Sequence, residues 1–121
     1  MIGRRALAIA ALVLAAVHVQ AGVSALEAAR IERLIQYVDS QQHATFVRNG
    51  EAHSCKDAAL FLRGKFAKMG EHVGTAAQFI DQIASRSSTS GQAYLIRFAG
   101  GRTVLAAQFL GEELKRMDRQ P

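Results

Sequence analysis

The sequence predicts an α+β domain, with about four helices packed on a small antiparallel sheet of two or three short strands. Three observations predict it. Four stretches repeat apolar residues at the spacing of one helix face. Three of these open on a hydroxyl residue placed to cap a helix. Between them lie short β-branched or aromatic runs bounded by Asn-Gly or Gly-Gly turns.

Ser24-Ala25-Leu26-Glu27 has capping-box spacing, so the first helix begins near Ala25 and buries Ile31, Leu34, Ile35 and Val38. Asp39 to His43 is a polar connection. Thr45 to Arg48 is short and β-prone, and Asn49-Gly50 closes it with the strongest turn signal in the chain. Ser54-Cys55-Lys56-Asp57 opens a second helix with Ala58, Ala59, Leu62, Phe66 and Met69 as its buried stripe and Gly70 as its stop. Arg63, Lys65 and Lys68 gather toward the end of that helix, where cations complement the dipole. A third helix opens at Thr75, buries Phe79, Ile80 and Ile83, and ends near Ser85. The run Ser85 to Gly91 is a polar loop leading into a strand from Ala93 to Phe98, with Tyr94, Ile96 and Phe98 on one face. Ala99 to Arg102 turns the chain, and Thr103 to Leu105 returns as a short antiparallel strand. From Ala106 the period becomes helical again through Phe109, Leu110, Leu114 and Met117, and the tail frays.

The start of the chain reads as an address. Arg4 and Arg5 precede an apolar run from Ala6 to Val17, too short to span a bilayer, and small residues follow at the spacing of a cleavage site. Residues 1–21 are therefore expected to be a cleaved signal peptide, with Ala25 as the alternative cutting point, and 22–121 a single periplasmic domain without a transmembrane segment. Of the 121 residues 50% are apolar and the formal charge is +5. Losing two arginines and no acid, the mature chain carries +3, and its Lys and Arg are scattered. Phosphate-backbone binding needs them clustered, so nucleic acid is not an expected partner.

One cysteine excludes an internal disulfide framework. In an oxidising compartment Cys55 either reacts, links two chains in a dimer, or is buried. Its place in the first turn of a helix, with His53 and Lys56 near, favours the thiolate and makes Cys55 with His53 as base the candidate catalytic pair. The alternative is a small, partly buried side chain. His43, His53, His72 and Cys55 lack metal-ligand spacing, and no phosphate loop or dinucleotide fingerprint is present, so no metal or cofactor is expected. Arg48 beside the Asn49-Gly50 turn can present a guanidinium to an anion, or pair with an acid such as Asp57 or Asp81. The hydroxyls of Ser87 to Ser90 either meet a polar ligand or cap their own loop.

The blocks Phe46-Val47-Arg48-Asn49-Gly50, Leu62-Arg63-x-Lys65, Ala77-Gln78-Phe79-Ile80-Asp81, Ala84-Ser85-x-Ser87-Ser88 and Ser90-Gly91-x-x-Tyr94 make the chain resemble the YfeK-like family of small exported bacterial proteins, a domain of unknown function. The family pattern carries a histidine where Phe61 stands here, which implies that no shared chemistry rests on that histidine. Cys55 occupies a position that is often another small polar residue, which argues against a family-wide thiol mechanism. The resemblance implies export and no particular activity. It directs attention to Arg48, Asn49, Lys65, Asp81, Ser85, Ser87 and Ser88. The expected function is a non-enzymatic envelope-associated domain that binds a ligand or a partner protein through Arg48, Asn49, Lys65, Ser87 and Ser88. The alternative is a thiol-dependent enzyme using Cys55.

Overall fold

The computed structural model describes residues 23–120, so the signal peptide expected over residues 1–21 lies outside the described residues. Helix α1 spans Ala25–Asp39, and Ser24 accepts the Glu27 amide as its cap. Strands β1 (Ala44–Arg48) and β2 (Glu51–Ser54) follow. Helix α2 covers Cys55–Met69 and α3 Ala76–Gln82, with Ser54 and Thr75 as side-chain caps. The chain ends with β3 (Leu95–Phe98), β4 (Thr103–Leu105) and α4 (Ala106–Asp118). All three expected caps form because each hydroxyl satisfies an amide that has no partner inside its own helix.

The sheet has four strands, in the order β2-β1-β3-β4, and every pairing is antiparallel. It is one strand larger than expected at most. The added strand is β2, whose Glu-Ala-His-Ser sequence has no β-branched or aromatic signal. Its pairing comes from the turn. Asn49 and Gly50 both take positive φ, 51° and 80°, the two-residue geometry that matches strand twist and sets Arg48 opposite Glu51. Local turn chemistry thus imposes a strand that composition does not announce.

Phe46 and Ile96 pair across the centre of the sheet and face the helices, joining Leu34, Leu62, Phe79 and Leu110 in one core. On the opposite face Ala52, Val47, Leu95 and Leu105 line up in register, an apolar row across the sheet. Helices α1 and α2 pack together, and Arg63 of α2 forms a two-bonded ion pair with Glu32 of α1. Glu27 accepts the first amide of α3, Ala76, at 2.8 Å, and Arg30 binds both Glu27 and Asp118. Glu27 and Arg30 together thereby tie α1 to α3 and α4.

Several expectations shift by a turn. Met69 is 50% exposed and does not belong to the stripe of α2, because the helix ends there on Gly70. Lys65 points inward and is buried, so it does not serve the helix dipole at the surface. α3 stops at Gln82, three residues early. The Ser85 hydroxyl then donates to the Asp81 carbonyl at 2.6 Å and satisfies an orphan acceptor there. Ala93 makes only an isolated bridge to Arg86 before β3 begins at Leu95. Among the described residues no helix is long and apolar enough to cross a membrane.

Candidate functional site

Three elements place the polar residues that the sequence singled out. β1 ends at Arg48, the middle of α2 presents Phe61 and Lys65, and the loop after α3 brings Ser87, Ser88 and Thr89 alongside. Together with Met69 and Tyr94 they line a cavity of about 190 Å³. Sequence positions more than forty apart therefore meet in one place. Arg48, Lys65, Ser87 and Ser88 converge there, as a binding site would require.

The electrostatics are one-sided. Lys65 is 7% exposed, and its ammonium donates to the Arg86 carbonyl at 2.8 Å and to the Tyr94 hydroxyl at 3.0 Å. Neither acceptor is a carboxylate. Desolvation pushes the Lys65 pKa below its ordinary value, and the nearby Arg48 and Arg86 push the same way. Burial raises the Tyr94 phenol, with Arg48 pulling against it. Arg48 makes no ion pair among the described residues, with Asp57 and Asp81 included. Its guanidinium lies instead over the Phe61 ring, 4.2 Å from the centroid. Phe61 in turn meets Tyr94 edge-on at 6.0 Å.

The serine loop divides its labour. The Ser87 hydroxyl accepts the amides of Thr89 and Ser90, both at 3.3 Å, and lies 3.1 Å from the Thr89 hydroxyl. It lines the cavity and at the same time shapes its own loop, the capping role that its sequence also offers. Ser88 is less bound, donating only to the Met69 sulfur at 3.6 Å. Asn49 does not line the cavity. Its side chain accepts from the Ser90 hydroxyl at 2.6 Å and so joins the hairpin turn to the serine loop. Asp81 and Ser85 cap the end of α3 and have no part in the site.

Cys55 behaves opposite to the expectation for a nucleophile. It is the first residue of α2 but is 2% exposed in the core. Burial and the charge of Asp39 raise its pKa, because desolvation of a thiolate outweighs the helix dipole here. His53 turns toward a separate cavity, with Nε2 3.9 Å from Glu51, too far for a hydrogen bond. The proposed pair therefore has no common surface. Among the described residues no three His, Cys, Asp or Glu side chains gather to hold a metal ion.

The sequence reading missed the walls of the site. In the sequence Phe61 stands out only as a departure from the family pattern, and Tyr94 only as sharing a face with Ile96 and Phe98. Their helix and strand periodicities carry no mark that they also face a cavity.

The whole described fold, from α1 to the end of α4, falls within one family model, matched over residues 25–118. The chain belongs to the family of unknown function DUF5329. It is also similar to the uncharacterized protein YfeK of Salmonella typhimurium, 43% identical over 74 residues, which cover 61% of this chain and 62% of that relative. The chain thus spans less than two thirds of the length of this curated relative, and the expected YfeK-like resemblance holds. No solved structure matches it. The DUF5329 assignment carries no activity, so the chemistry of the cavity must speak for itself.

Proposed function

We propose that this DUF5329 protein is an exported, non-enzymatic domain of the bacterial envelope that binds an anionic group, a carboxylate or phosphate, in the cavity between β1, α2 and the serine loop. One observation carries the reading. Lys65 is buried with no carboxylate partner while Arg48, also unpaired by any acid among the described residues, lines the same small cavity. A buried ammonium without a counter-charge is costly, and an anion entering between it and a guanidinium relieves that cost. The Ser88 hydroxyl, held only by the Met69 sulfur, adds a donor. The Phe61 and Tyr94 rings supply apolar surface for the rest of a ligand.

Calorimetric or NMR titration with phosphate, acetate and a larger carboxylate tests this. Binding that weakens at least about tenfold in Arg48→Gln is the expected result, since a charged hydrogen bond contributes about 1.5–3 kcal/mol. An unchanged affinity in Arg48→Gln, or no binding of any anion, overturns the reading. Fractionation of expressing cells tests export, with the mature chain expected in the periplasmic fraction.

A further inference from the structure

A second cavity adjoins the one built on Lys65. It has a volume of about 180 Å³ and is lined by Phe46, Arg48, His53, Asp57, Ala58 and Phe61. The stacked pair Arg48 and Phe61 belongs to both cavities and stands between them. Each alone is smaller than the roughly 300–1,000 Å³ of sites that take a substantial ligand, whereas together they reach the lower end of that range.

Their chemistry is opposite. One end offers Lys65 and the hydroxyl of Ser88. The other offers Asp57, exposed and without an ion pair among the described residues, and His53, whose side chain keeps 31% exposure although its Nε2 is buried without a partner. Between them lie the apolar surfaces of Phe46, Ala58 and Phe61. A planar guanidinium stacked on a ring keeps its N–H edge free, so Arg48 can reach a ligand lying across the wall.

We infer that the two cavities form one bipartite site for an amphoteric ligand, its anionic group held at Lys65 and Arg48 and its ammonium group at Asp57 beside His53. This rests on the anion-binding reading above and adds the ligand's second charge. The apolar middle suits a short methylene chain or small ring between the charged ends.

The test titrates the folded protein with unbranched ω-amino carboxylates of increasing length and with the alkyl carboxylates that match them. At one chain length the amino acid is expected to bind about three- to tenfold tighter than its alkyl counterpart, the gain of one partly exposed charged contact. Asp57→Asn and His53→Gln should each reduce that advantage while leaving the alkyl carboxylate's affinity unchanged. Asp57→Asn keeps the backbone amide that donates to Ser54 at 3.0 Å, so the start of α2 is preserved. A thermal melt of each variant confirms folding. Equal affinity of the two series at every length overturns the bipartite site and leaves the anion site standing. Failure of both series to bind overturns both.

Discussion

The Lys65 ammonium lies 3.0 Å from the Tyr94 hydroxyl and 4.9 Å from the centroid of the same ring. A single aromatic residue thus serves a buried cation through both its oxygen and its π face. Because desolvation of Lys65 is the larger effect, its folded pKa sits below the unfolded value of 10.5. Between those two values the folded chain holds fewer protons than the unfolded chain, so stability rises with pH across that interval. Lys65→Met removes this rise. Urea unfolding at several pH values from neutral to about 9, below the ordinary phenol value of 10.0 at which the unfolded Tyr94 titrates, should show a smaller upward slope in the variant than in the parent.

Acid acts at a different place. Glu27 has its pKa lowered chiefly by the Ala76 amide and then by Arg30. A depressed carboxylate contributes stability that is present above 4.5 and is lost as pH falls through the folded value. Glu27→Gln is expected to cost about 1 kcal/mol at neutral pH and to flatten the loss of stability on acidification, read by chemical denaturation at both pH values.

Cys55 should be slow to react. With its pKa raised and its side chain in the core, alkylation of the native chain at neutral pH is expected about tenfold or more slower than that of a free model thiol, with full reactivity restored in urea. Reaction as fast as the model thiol would contradict the burial. Non-reducing electrophoresis of the purified chain is expected to show monomer.

Two glycines of one segment should respond oppositely to alanine. At Gly70 a new Cβ would come within 2.5 Å of both the Phe66 ring and the Phe66 carbonyl, so Gly70→Ala is expected to destabilise by about 1–3 kcal/mol. At Gly64, exposed in the middle of α2, the same Cβ meets nothing within 4 Å. Gly64→Ala should stabilise by about 0.5–1 kcal/mol, because alanine costs the helix less backbone entropy. Paired thermal melts check both.

The serine loop offers a separation of shape from contact. Ser87→Ala removes the acceptor of two loop amides and should lower stability by about 1 kcal/mol, whereas Ser88→Ala should leave the melting temperature nearly unchanged. If anion affinity also falls in Ser88→Ala, its hydroxyl contacts the ligand directly.

Helix starts were legible in the residues because a cap is a local event: Ser24, Ser54 and Thr75 each accept an amide three positions on. The core stripe of α1 was legible for the same reason. β2 was not, since Glu51 to Ser54 pair with β1 through the turn that precedes them. Of the site, Arg48 and the serine run stood out as polar residues in recognisable settings. The inward turn of Lys65 did not, because its two acceptors, the Arg86 carbonyl and the Tyr94 hydroxyl, reach it only through tertiary packing. Of the two readings of Cys55, the buried side chain is the one the fold shows, because the desolvation that decides it comes from tertiary packing and leaves no mark in the local sequence.

Phe46 pairs with Ile96, fifty positions later in the chain, and this central pairing has a kinetic meaning. The hairpin of β1 and β2 closes over two residues and needs little search. Joining β1 to β3 needs closure of the whole intervening loop, which is slow and entropically costly. Arg48 lies on the early side of that closure, and the serine loop and Tyr94 on the late side, so the cavity exists only once the sheet is complete. Any ligand bound there is coupled to folding of the entire domain. It should raise the midpoint of global unfolding in proportion to RT ln(1 + [L]/Kd), which makes protection against unfolding a direct assay for ligands.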